Sequence, residues 1–214
     1  MCFSASVSFI AGASLLAVGA ITIKKVGRKT ELPFAAIPVL FGVQQILEGI
    51  IWLTFRFDTP LLNTMMTHGY SLFSHVLWPI YVPFAVLLIE SVPWRRKTLY
   101  ALLAIGAATG LYLLVNMLRF PIVSRPLGGH VEYVSPHFYA VVVMGSYLAG
   151  TCLSMLLSSH KVVNVFGIAS LLLFVTAYQI YTVWFISVWC FFAAALSMIV
   201  YSYFRIRERG LVMA

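Results

Sequence analysis

The sequence predicts an all-α, polytopic membrane bundle of seven transmembrane helices, and three observations carry that prediction. Hydrophobic residues make up 62% of the 214-residue chain and charged residues only 9%, too few polar groups to clothe a water-soluble surface. Seven stretches reach the roughly 20 apolar residues that a helix needs to cross a bilayer. The basic residues fall on alternate connections between those stretches, as membrane topology requires. That distribution also accounts for the net charge of +8. No nucleic-acid partner is implied, and the partner expected is the lipid bilayer.

The spans follow in order within a single transmembrane domain, residues 1–214. Residues 4–23 form the first; no basic region precedes the apolar run, so it reads as a retained helix rather than a cleaved signal. Residues 33–55 form the second. The third, 69–92, contains Pro79 and Pro83, each of which removes a backbone donor and kinks the helix. Residues 98–118 form the fourth. The long connection 119–136 is a candidate lid, and Gly128-Gly129 between β-tolerant stretches is a hairpin signal. Residues 137–158, 162–181 and 184–204 complete the seven. The division of the last two near Thr182 is short, and six is the alternative count.

Eleven of the fourteen basic residues, among them Lys24, Lys25, Arg95, Arg96, Lys161 and Arg205, lie on one side; Arg56, Arg119 and Arg125 lie on the other. The positive-inside rule then places the amino terminus outside and the carboxyl terminus in the cytoplasm. With that orientation, Glu48 and His75 both lie roughly 9 Å below the outer surface. Gln44, Gln45, Glu48 and Trp52 share one face of the second helix, and His68, Ser71 and His75 share one face of the third. An ionised carboxylate in lipid costs about 2.5 to 3.5 kcal/mol, so Glu48 must face protein or water.

Other outer helix ends add polar groups: Cys2, Ser4, Ser6 and Ser8 on the first, Asn116 on the fourth, His137 on the fifth, Tyr178 and Gln179 on the sixth. The inner halves are almost wholly aliphatic. This asymmetry predicts a cavity open to the outside rather than a through-pore. The three cysteines show no CxxC spacing and predict no disulfide framework. His68, His130 and His160 fall in loops or at edges and read as solvated.

The stretches "MCFSASVSF" and "LPFAAIPVLFGVQQILEGIIW" resemble a family of uncharacterised bacterial integral-membrane proteins that typically begin Met-Cys-Phe-Ser. The resemblance is most specific over about the first fifty residues. It implies a multi-pass protein of the bacterial inner membrane in which Cys2, Gln44, Gln45, Glu48 and Gly49 belong to the family pattern. It brings no assigned activity.

Residue chemistry supplies the functional expectations. Cys2, Glu48, His75 and His137, drawn from four segments, offer the mixed S, O and N donors that zinc accepts. The first expectation is therefore a zinc-dependent hydrolase acting on a lipid or small amphiphile from the outer side, with Glu48 as ligand or general base. Ser4, Gln44, Gln45, Ser71, Asn116, Tyr178 and Gln179 would line its pocket. A second is binding, sensing or transport of a small ligand or ion through Glu48 and His75. A third is electron transfer through haem b held by His75 and His137. Against all three stands a packing reading, in which Glu48 is an interhelical clamp.

Overall fold

The computed structural model describes residues 4–135 and 137–208. Six helices are long and apolar enough to cross a membrane, and a seventh, Val141–Leu156, is shorter. The last long segment, Thr182–Glu208, holds two helices end to end, so the labels run to eight: α1 (Ala5–Lys24), α2 (Ile37–Phe57), α3 (Pro60–Ile89), α4 (Pro93–Arg119), α5 (Val141–Leu156), α6 (Lys161–Ile180), α7 (Phe185–Leu196) and α8 (Ile199–Glu208). Many apolar side chains remain on the outside, including Ile10, Leu61, Leu118, Val141 and Leu172. Such a surface is stable only against lipid, and the chain is a multi-pass membrane protein.

Several boundaries differ from the sequence reading: the fourth helix starts at Pro93 rather than 98, the last span is broken after Leu196, and two further differences bear on the site and the count. The third helix begins at Pro60 rather than residue 69, because proline suits a helix start and Asp58, in the left-handed conformation, ends α2 just before it. The fifth is shortened to Val141–Leu156, a length of roughly 24 Å at 1.5 Å per residue. It is this short helix, and not a merger of the last two, that lowers the count of long spans. The final segment does divide where expected, at Tyr181, through a single 3₁₀ turn at Thr182–Trp184.

Small residues let the helices approach closely. Gly12 and Gly19 on α1 meet Gly42, Ile46 and Val39 on α2, and Phe9 packs on Gly49. Gly106 on α4 and Gly150 on α5 both abut the carbonyl of Pro79 on α3. Two of these helices carry a π turn, Leu72–Leu77 in α3 and Ala149–Leu153 in α5.

The basic connections gather at one end of the bundle. There Arg207 on α8 pairs with Glu31, which also accepts from Arg28 at 3.0 Å, and Lys25 meets Glu208 at 2.6 Å. Glu90 accepts the backbone N–H groups of Ser91, Val92 and Ser159 at 2.6–3.0 Å, tying the α3–α4 turn to the α5–α6 turn. Burial alone would raise the Glu90 carboxyl, but these donors outweigh it and hold the group below the usual carboxylate range.

The opposite end carries an antiparallel hairpin, β1 (Val123–Leu127) and β2 (His130–Val134). Gly128 and Gly129 make its two-residue turn with φ of 56° and 77°, the left-handed pair that a tight hairpin of this kind demands. Ser124 on β1 bonds Thr67 at 2.7 Å and Asn63 at 3.1 Å, fixing the hairpin to α3. His130 on β2 packs between Tyr181 and Trp184 and is buried, contrary to the solvated position expected of it. The aromatic pair after α6 shelters that ring.

Candidate functional site

Glycines 42 and 49 turn one face of α2 toward α1, and the polar stripe occupies the adjoining face. Gln44, Gln45 and Glu48 are all fully buried. The Ser187 hydroxyl on α7 donates to Glu48 Oε1 at 2.7 Å, and the Tyr133 hydroxyl on β2 approaches the same oxygen at 3.5 Å. Gln44 Oε1 accepts the Trp78 indole N–H at 2.8 Å. The Cys190 thiol on α7 reaches the side chains of Tyr70 and Gln44. Over this group lie the rings of Tyr70 and Tyr133, stacked in parallel with centroids 4.5 Å apart. A carboxylate in lipid needs such hydroxyl donors, and elements distant in sequence supply them.

Gln45 differs from its neighbours. Neither its amide oxygen nor its amide nitrogen has a partner among the described residues, and the same holds for the hydroxyls of Ser8 on α1 and Ser71 on α3. Gln45 and Glu48, three residues apart on one helix, are surface neighbours. Phe9 against Gly49 places Ser8 within a turn of the Glu48 level. Buried amides in native proteins are almost always satisfied, which sets Gln45 apart among the described residues.

His75 owes its setting to the π turn. Trp78 N–H bonds the carbonyl of Phe73 rather than that of Ser74, and the released Ser74 carbonyl accepts the Tyr147 hydroxyl at 2.6 Å. The His75 ring is held on both nitrogens, Nδ1 to Ser74 Oγ at 2.8 Å and Nε2 to Ser135 Oγ at 2.9 Å. Its face rests on Phe138. Residues 131, 133 and 135 alternate inward from β2 and all are buried, so a single strand edge delivers Tyr133 to Glu48 and Ser135 to His75.

The expected site residues therefore separate into groups. Glu48, Gln44 and Gln45 gather around the carboxylate, while His75 lies at the next inward position of the hairpin edge. His137 packs at a tilt against Phe120 and lines a cavity of about 230 Å³ that it shares with Asn116 and Ser135. Ser4 caps α1, its hydroxyl accepting from Val7 at 3.4 Å. Tyr178 and Gln179 are exposed on α6 and do not join the polar centre. Cys2 lies outside the described residues. Among the described residues, no group of three or more His, Cys, Asp and Glu is placed to hold a metal ion.

Sequence reasoning missed Tyr70, Tyr133, Ser135, Ser187 and Cys190. Ser135 and Tyr133 had one signal, the alternation of a strand that follows a Gly-Gly turn. Ser187 and Cys190 follow a helix start at Phe185 that places them one turn apart on one face.

A shallow groove runs along the outside of β2, lined by Glu132, Tyr133, Ser135 and Thr182 among others. Tyr133 thus borders the groove on one side and Glu48 on the other. The arrangement defines a class: a polytopic helical membrane protein with a buried polar cluster beneath a β-hairpin. The chain belongs to DUF6629, a family of unknown function, whose sequence pattern matches residues 1–213. No curated protein and no solved structure matches it.

Proposed function

We propose that the protein binds a small cation or protonated amine within the buried polar cluster around Glu48, admitted from outside past Tyr133. The observation that carries this reading is the juxtaposition, on one buried face of α2, of an acidic side chain with an amide, Gln45, that has no partner among the described residues. Glu48 supplies the negative charge, Gln45 an oxygen and a nitrogen for a polar guest, and the stacked Tyr70–Tyr133 pair the gate. Glu132 on the access groove adds a second carboxylate along the same line. Cations enter such a path favourably and anions do not.

In this reading the chain crosses the bacterial cytoplasmic membrane seven times, the short α5 included, with the hairpin outside and the basic end in the cytoplasm. The Glu90–Ser159 tie at one end of α5 and the hairpin at its other end support that count. Zinc belongs to the cation class proposed, with Glu48 as the acidic ligand and Cys2 as the thiolate that sequence chemistry suggests. Hydrolysis of an amphiphile would need only that such an ion also activate water.

The test is a thermal melt of purified protein against alkali cations, Zn²⁺ and alkylammonium salts, repeated on Glu48→Gln. A guest at 100 times its Kd stabilises by about 2.7 kcal/mol, roughly 5 to 10 °C for a chain of this size. A saturable rise in wild type that Glu48→Gln lacks is the expected result. A flat response to every probe, or one that Glu48→Gln preserves, defeats the proposal. Elemental analysis and turnover of detergent-solubilised lipids on the same samples decide the zinc and hydrolase extensions.

A further inference from the structure

We infer that the separate cavity beside His137 is a binding site for an amphiphile that carries a hydrogen-bond-donating hydroxyl on an alkyl chain. The cavity, of about 230 Å³, lies between the end of α4 and the segment leaving the hairpin, with Leu113, Met117 and Phe120 as its apolar wall and Asn116, Ser135 and His137 as its polar groups. Phe120 at its rim is more than half exposed, and neighbouring Leu118 is 74% exposed. The site therefore borders the lipid-facing surface, where an alkyl chain is already at home.

The polarity of the hydrogen bonds selects the head group. The Ser71 carbonyl can only accept, so the Ser74 hydroxyl, at 3.4 Å, spends its one proton there. In the tautomer this assigns, Ser74 Oγ accepts from His75 Nδ1–H, which leaves Nε2 as an acceptor. Ser135 accordingly donates to His75 Nε2, and its oxygen, on the cavity wall, keeps lone pairs free to accept. Asn116 also lines the cavity: its Nδ2 donates one proton to Tyr112 O at 2.8 Å, and its Oδ1 is an acceptor. These two acceptors on the cavity wall give a guest that brings a donor a bond that one of equal size without a donor does not make.

The experiment follows the ¹³C-methyl resonance of Met117, assigned by Met117→Leu, in full-length protein in lipid nanodiscs. The probes are 1-octanol and its methyl ether, 1-methoxyoctane, of similar bulk but without a donor. A saturable shift with 1-octanol is expected, with the ether weaker by roughly tenfold, the worth of one well-made hydrogen bond. Ser135→Ala should bring the alcohol down to the ether. Leu113→Trp, which fills the cavity from the α4 side, should abolish both. A shift that rises linearly without saturation means partition into lipid only and overturns the site. Equal affinity for alcohol and ether overturns the assigned donor pattern, as does a ¹⁵N spectrum with the His75 proton on Nε2. These last measurements use wild type alone, so they hold even if a variant fails to fold.

Discussion

A buried carboxylate needs donors, and at the residue scale Glu48 has them from Ser187 and Tyr133. Tyr133 also stacks on Tyr70 over the polar cluster, and in the proposed function that stack is the gate. Removing that ring should expose what lies beneath. With Cys2 and Cys152 replaced by serine, Cys190 is the remaining thiol, and it reaches Tyr70 and Gln44 inside the cover. Tyr133→Ala should speed its modification by a small aqueous thiol reagent about tenfold, while Tyr133→Phe, which keeps the stack, should change it little; a stacked pair is worth about 0.5 to 1.5 kcal/mol. Equal rates in wild type and Tyr133→Ala would show that access to the cluster does not pass Tyr133. Glu48 and Gln45 were legible in the sequence because their charge and polarity stand out against an apolar helix. Ser187 and Cys190 were not, since small hydroxyl and thiol residues are ordinary inside membrane helices.

Among the elements, α3, α4 and α5 meet at a single carbonyl. A Cβ on Gly106 would collide with the Pro79 carbonyl, a rigid backbone atom that cannot swing aside. Gly106→Ala should therefore cost about 1 to 3 kcal/mol, as overpacking does, and lower the melting temperature by roughly 2 to 12 °C. Gly145 on α5 faces open space, with nothing within 4 Å of where a methyl group would sit, and Gly145→Ala should stabilise the helix by up to about 1 kcal/mol. Opposite signs in the two melts are the expected outcome, and a tolerated Gly106→Ala would deny the packing described. The helices themselves were readable from apolar length, and the hairpin from Gly128-Gly129. The start of α5 was not, because Val141–Leu156 merges in hydropathy with the aromatic turn before it. Nor was the partner of each helix, since sequence shows which faces are polar and not which faces meet.

Across the whole molecule, the basic end and the hairpin end differ in how they are held. Glu90 joins two connections through backbone N–H groups that favour its charged form. Its folded pKa lies below the unfolded one, so its contribution is complete above the unfolded value of about 4.3 and fades as pH falls through the folded value. The melting temperature should be level from about pH 7 to near 5 and fall in more acid solution, and Glu90→Gln should flatten that fall while lowering the neutral value. An acid limb unchanged in Glu90→Gln would assign it to other carboxylates. Sidedness has its own test. On a cysteine-free background, Leu127→Cys in the hairpin should react with an impermeant reagent added outside intact cells, and Lys97→Cys should not. The reverse pattern would invert the membrane orientation, and with it the direction from which any guest arrives.

The π turn at Leu72–Leu77 closes its hydrogen bond over one residue more than an α turn does. That stretch of α3 therefore holds a spare residue, and removing one there returns a plain α-helix with both flanking halves in their present rotation. Elsewhere in a helix the same loss swings everything beyond it by about 100°. Deletion of Leu72, whose side chain is exposed, should yield protein that inserts and melts cooperatively, though without the His75–Ser135 contact. Deletion of Leu47 in the middle of α2 should yield none. Chain length in this bundle is thus negotiable at two short windows, Leu72–Leu77 and Ala149–Leu153, and related sequences that differ by a single gap should carry it there.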